Sequence, residues 1–217
     1  MRVKICGIRN SEDAGIALRA GADAVGFLVG MTHLAEDKVD PDCARSIIGS
    51  LPPFVSRVLV THLTDESEIV DLAASLRVDT VQIHDYVPPE SVARIRTCLP
   101  ACKVIKAVHV VTEAETLQMM RDFEPVSDAL LLDSRTVDRL GGTGLVHDWT
   151  ISAQVVRLAQ VPVILAGGLT DQNVYDAVAQ TRPFGVDVNS GVEVDGWKDF
   201  DKVQTFVSEA RRAEAGR

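Results

Sequence analysis

The chain lacks any block of lysine and arginine longer than two, and its 22 basic residues are outnumbered by 31 acidic ones. A net charge of −9 gives a phosphate backbone nothing to hold, so no nucleic-acid partner is expected. No apolar run approaches the roughly 20 residues that a bilayer-spanning helix needs, so no membrane association is expected. The opening MRVKICGIRN has no long apolar stretch of the kind a secretory leader carries. Four cysteines without a regular framework suit a reducing cytoplasm better than a disulfide-stapled fold. No Gly/Ser linker or low-complexity tract divides the chain, which reads as one domain over residues 1–217. What is present is ordinary for a folded protein: 46% hydrophobic and 24% charged residues, a composition that excludes wholesale disorder.

Two kinds of segment alternate throughout. Short runs rich in Val, Ile and Leu read as buried strands at Val3–Cys6, Ala24–Val29, Arg57–Thr61, Thr80–His84, Val104–His109, Ala129–Asp133, Val163–Ala166 and Gly185–Asn189. Between them lie segments of helical spacing with start signals: Ser11-Glu-Asp, Thr64-Asp-Glu-Ser, Pro88-Pro-Glu, Asp171-Gln-Asn and Lys198-Asp-Phe-Asp. An open doubly wound sheet alternates in the same way. Eight compact βα units ending in a helix fit a parallel eight-stranded (β/α)8 barrel with outer helices better.

In such a barrel the chemistry belongs at the C-terminal strand ends. Strand 1 ends in Cys6, strand 6 in Asp133, strand 7 in Gly167-Gly168 and strand 8 in Asn189-Ser190-Gly191. The last two loops are placed to cradle a phosphate through backbone N–H groups, with Gly167, Gly168, Ser190 and Gly191 as the contact residues. Gly142 and Gly144, in the glycine-rich run after strand 6, are candidates to fold over the ligand. Cys6 and Asp133 form a candidate base–acid pair, and Lys4, on the same strand face as Cys6, is placed to lower the thiol pKa. The plainer reading makes Cys6 a small core residue and Asp133 a cap.

The segments Val3-Lys-Ile-Cys-Gly-Ile-Arg-Asn-Ser-Glu-Asp-Ala14, Val81-Gln-Ile-His84, Leu130-Leu-Leu-Asp133, Pro162-Val-Ile-Leu-Ala-Gly-Gly-Leu169 and Gly185-Val-Asp-Val-Asn-Ser-Gly-Val-Glu193 carry a resemblance. Together they resemble the phosphoribosylanthranilate isomerase family of tryptophan biosynthesis, in the family's order along nearly the whole chain. The resemblance implies an Amadori rearrangement of an N-linked ribose 5-phosphate to a 1-deoxyribulose phosphate. It makes Cys6 the general base and Asp133 the general acid, with no cofactor, and it leaves monomer or homodimer open.

One loop departs from the family. Where relatives carry Ser-Pro-Arg after strand 2, this chain reads Gly30-Met-Thr-His-Leu-Ala-Glu-Asp-Lys38, with Lys38 the nearest cation. Four of the five histidines, His33, His62, His84 and His109, fall at the ends of strands 2 to 5. They are candidates for substrate contact or, with Glu36 or Asp37, for a divalent metal, a plan similar to that of ribulose-phosphate 3-epimerase. The alternatives to the isomerase are therefore a metal-assisted sugar-phosphate isomerase or epimerase and a non-catalytic phospho-ligand binder.

Overall fold

The computed structural model describes residues 1–33, 35–136, 139–140 and 148–216. Eight strands form the barrel: β1 (Arg2–Ile5), β2 (Ala24–Leu28), β3 (Ser56–Thr61), β4 (Thr80–Ile83), β5 (Lys103–Val110), β6 (Ala129–Thr136), β7 (Val163–Leu165) and β8 (Gly185–Val188). Neighbours run in the order β5-β4-β3-β2-β1-β8-β7-β6, all parallel, and β5 pairs with β6 to close the ring. Closure leaves no barrel edge to guard, so every one of these strands can be apolar on both faces.

The described residues include eight α-helices: α1 (Ser11–Arg19), α2 (Pro41–Ser50), α3 (Glu66–Leu76), α4 (Pro89–Cys98), α5 (Glu113–Phe123), α6 (Trp149–Leu158), α7 (Val174–Thr181) and α8 (Phe200–Ala215). Most begin where a short polar side chain satisfies the free N–H groups of the first turn. Asn10 accepts from Asp13 N, Asp65 from Glu68 N, Thr112 from Glu115 N and Asp199 from Lys202 N. The seventh helix starts at Val174, later than the Asp171 signal suggests. The Asn173 side chain is held by Thr170 N and Gly168 O, which keeps residues 171–173 in a turn. Strand β6 also runs past Asp133 to Thr136, because its end pairs antiparallel with Arg139–Leu140.

The outward strand faces and the helices share one large core, from Val3 and Ile5 through Leu130 and Leu132 to Phe206. Inside the ring the apolar clusters are small: Ile105, Ala107, Ala129, Leu131 and Ala166 on one side, Cys6, Leu28, Val58 and Val60 on the other. Above them the inward positions turn polar. The period of two places Cys6 above Lys4, His84 above Gln82, Asp133 above Leu131 and Asn189 above Asp187. Among the described residues no helix is long and apolar enough to cross a membrane.

Because Asp65 is exposed and caps α3 alone, Asp65→Ala tests the capping account cleanly. Urea unfolding should show a loss of about 1 kcal/mol.

Candidate active site

A cavity of about 410 Å³ opens at the C-terminal end of the ring, lined among others by Cys6, His62, Gln82, His84, Asp133, Asp187, Gly167, Gly168, Ser190 and Gly191. The sequence-predicted base, acid and four of the loop residues therefore meet in one place. Gly142 and Gly144 lie outside the described residues.

The centre of the site is a buried ammonium. Lys4 Nζ donates to Asp187 Oδ2 at 2.8 Å, to Gln82 Oε1 at 2.9 Å and to Cys6 Sγ at 3.3 Å. Burial works against its charge, but Asp187 and Cys6 outweigh that penalty and hold its pKa above the usual lysine value. The same contact acts on the thiol as the sequence suggests, but it does not prevail. Burial dominates, Lys4 offsets it in part, Asp187 adds to it, and the Cys6 pKa is pushed up to about 11. Cys6 at rest is a thiol, and its thiolate is a strong base once formed.

Lys4 also fixes a tautomer. With Gln82 Oε1 turned to the ammonium, the amide nitrogen faces His84 Nδ1 at 3.3 Å, so Nδ1 accepts. The ring proton is left on Nε2, which lies 3.4 Å from Asp133 Oδ2. Burial, then the neighbouring His109 and His62, hold the His84 pKa well below the ordinary histidine value, so the ring is neutral. Asp133 is pushed up to about 7, chiefly by burial, although Ser134 N donates to its Oδ1 at 2.7 Å. Near neutral pH it can therefore carry a proton to give.

Two glycines clear the space for these groups. A Cβ on Gly26 of β2 would sit 2.8 Å from Cys6 Sγ and 2.9 Å from Lys4 Cε. On Gly167, whose φ is +81°, it would come within 2.4 Å of Ser134 Oγ and 2.8 Å of Asp133 Oδ1.

The histidines form a continuous row. Ring centroids are 5.2 Å apart for His33–His62, 5.3 Å for His62–His84 and 5.3 Å for His84–His109. At the outer end His33 Nε2 meets Asp85 Oδ2 at 2.9 Å. At the inner end His109 is in register with Asp133 across β5 and β6. Among the described residues, the one trio close enough to share a cation is His84, His109 and Asp133, with ligand atoms within 4.8 Å of one another. The wiring above works against that use: the His84 nitrogen facing the trio carries its proton. A cation there would also take the oxygen that Asp133 needs for its own proton. Asp37 joins a different group, accepting from Asn189 Nδ2 at 2.9 Å and lying 3.7 Å from Arg9 Nη1. Lys38 is exposed and absent from the cavity lining, because its backbone bridges to Leu28 at the loop's outer end.

Gln82, Asp187 and Arg9 complete the site without having stood out in the sequence. The same alternation that pairs Lys4 with Cys6 is the signal that reaches Gln82, two before His84, and Asp187, two before Asn189. His62 Nδ1 and Asp187 Oδ1 are buried without a partner among the described residues, and both residues line the cavity, so a polyol would find a nitrogen and a carboxylate oxygen waiting.

A (β/α)8 barrel with a thiol, a raised-pKa carboxylic acid and a polar cavity between them is the framework of a proton-transferring isomerase. Residues 3–209 match the profile of N-(5'-phosphoribosyl)anthranilate isomerase. The N-(5'-phosphoribosyl)anthranilate isomerase 2 of Methanosarcina mazei is 43% identical over 214 residues, covering 97% of this chain and 94% of that protein. The Thermotoga maritima phosphoribosyl anthranilate isomerase structure superposes with a TM-score of 0.85 at 36% identity, over 98% of this chain and 99% of that one. A phosphoribosyl anthranilate isomerase in complex with reduced 1-(o-carboxyphenylamino)-1-deoxyribulose 5-phosphate gives 0.82 at 35% identity, with the same coverage. The chain belongs to the N-(5'-phosphoribosyl)anthranilate isomerase family.

The raised Asp133 pKa has a sign for stability. Between the ordinary carboxylate range and pH 7 the unfolded chain has released this proton while the folded chain still holds it. Folding stability therefore falls as pH rises through that window. Asp133→Asn should melt higher than the parent at pH 8, with the gap closing near pH 4, as read by thermal unfolding at both pH values.

Proposed function

We propose that this chain converts N-(5'-phosphoribosyl)anthranilate to 1-(o-carboxyphenylamino)-1-deoxyribulose 5-phosphate, with Asp133 as general acid and Cys6 as general base. The observation that carries the reading is the meeting of a raised-pKa carboxylic acid and a lysine-contacted thiol in one cavity with two glycine-containing loops. The strand order puts β1, with Cys6 just beyond its end, between the β7–β8 loops and the apolar β2–β3 wall. A phosphate on Gly167, Gly168, Ser190 and Gly191 would thus leave the ribose over the thiol and the aromatic ring against Leu28, Met31 and Val60.

Asp133 gives its proton to the furanose ring oxygen as the bond from that oxygen to the first sugar carbon breaks, leaving an iminium. The reacting form is the minor one in which Asp133 is protonated and Cys6 has already given its proton to solvent, and the new positive charge stabilises that thiolate. The thiolate takes the proton from the second sugar carbon, and those C–H electrons form the enolamine double bond as the iminium nitrogen is neutralised. The second-carbon hydroxyl then loses its proton while the first carbon gains one, giving the ketone. Transfer of a proton from Cys6 to Asp133, directly or through water, restores the starting state. The proton count closes with the chain's own side chains.

Cys6→Ser and Asp133→Asn should each lower kcat by about 10²- to 10⁴-fold, read as the change in fluorescence of the anthranilate glycoside, with cooperative unfolding retained. The parent gene should restore growth of a tryptophan auxotroph lacking this isomerase; soluble parent protein without turnover or complementation would sink the assignment.

The two pKa values also set a pH profile. The competent form needs Asp133 protonated and Cys6 ionised. Below pH 7 its share rises tenfold per unit as Cys6 ionises, and between about 7 and 11 the gain at Cys6 is matched by the loss at Asp133. A plot of kcat/KM should climb to about pH 7 and then stay level to pH 9. A fall above pH 7 would show that the thiolate is not required.

A further inference from the structure

We propose that Arg9 is the specificity residue of this site, holding the carboxylate of the substrate's aromatic amine from the first βα loop. The inference rests on the isomerase reading above and names the group that reads its aglycone.

The cavity is rich in acid. Glu36, Asp37, Asp133, Asp187 and Glu193 all line it, and among the described residues Arg9 is the one lysine or arginine that does. A carboxylate entering such a cavity needs a cation with spare donors, and a guanidinium offers five N–H groups in a planar fork. The second βα loop supplies none: it presents Glu36 and Asp37 to the cavity and turns Lys38 outward.

The Arg9 guanidinium is positioned without being saturated. Its Cζ sits over the Trp197 ring, 4.3 Å from the centroid, and Nη2 donates to Gly196 O. Asp37 Oδ1 is 3.7 Å from Nη1, close enough to orient the charge but too far for a hydrogen bond. Nε is buried and has no partner among the described residues. The backbone is pinned as well, since Arg9 N donates to Asp13 Oδ2 at 3.2 Å and Arg9 O accepts from Cys43 Sγ at 3.6 Å. Asp37 is in turn tied to Asn189 Nδ2, so the acid beside Arg9 belongs to the frame of the site.

The apolar wall lies on the matching side. Leu28 and Val60 cluster with Cys6, and Met31 and Ala35 pack against them. An aromatic ring resting there, joined through its nitrogen to a ribose over Cys6, would carry its carboxylate toward the corner that Arg9 and Asp37 share. In this chain the carboxylate-reading charge comes from the first loop, and an acid takes the facing position in the second.

The test pairs enzyme variants with two ligands. The first is reduced 1-(o-carboxyphenylamino)-1-deoxyribulose 5-phosphate, and the second is the same compound with plain phenyl in place of carboxyphenyl. Arg9→Ala should weaken the carboxylate ligand about 10- to 100-fold by calorimetry. It should leave the phenyl ligand within a factor of about two, and raise KM for the substrate far more than it lowers kcat. Adding Asp37→Arg to Arg9→Ala returns a guanidinium to the same corner and should recover most of the lost affinity for the carboxylate ligand alone. Equal losses for both ligands, or no loss for either, would overturn the role of Arg9 while leaving the isomerase reading intact. Parent protein that neither turns over the substrate nor binds the carboxylate ligand would overturn both.

Discussion

A single buried ammonium organises this active site. Lys4 sits inside the ring where water cannot screen it, and it is tolerable there because Asp187 supplies a counter-charge and Gln82 an acceptor. From that anchor run two lines of consequence. One reaches the Cys6 sulfur directly, offsetting part of what burial does to the thiol. The other passes through the Gln82 amide to His84 and sets which ring nitrogen faces Asp133. Cys6 and Asp133 stand at the ends of different strands, yet both are positioned by the same charge.

Burial does the rest of the tuning. It raises both the thiol and the carboxylic acid, and it keeps His84 neutral between them. Enclosure on this scale needs close packing, and the space for it comes from Gly26 beside Cys6 and Gly167 beside Asp133. A resting Asp133 that holds its proton to neutral pH costs the fold stability, a trade that active sites commonly show. The row of histidines widens the polar face of the cavity and reaches outward to His33, which is half-exposed.

The barrel was legible because its evidence is repeated eight times. Apolar runs such as Val163–Ala166 or Gly185–Asn189 each overlap a strand, most of them within a residue or two, and each is followed by a helix. Cys6, Asp133 and the loops at Gly167 and Ser190 were legible because strand ends are where such barrels keep their chemistry. Gln82 and Asp187 were hidden, since a polar residue in mid-strand gains meaning only when the ring closes and brings β1, β4 and β8 around one point. Arg9 was hidden for another reason. Its place depends on Trp197 and Gly196, nearly the whole chain away, which no local pattern links to it.

The wiring from Lys4 to His84 is open to direct observation. Nitrogen-15 NMR of histidine-labelled protein at pH 7 reports which ring nitrogen of His84 carries the proton, with assignment by a His84→Asn variant. A neutral ring protonated at Nε2, changing its tautomer balance in Lys4→Met, is the predicted result. A ring protonated at Nδ1, a doubly protonated ring, or a spectrum unmoved by loss of the ammonium would contradict the account.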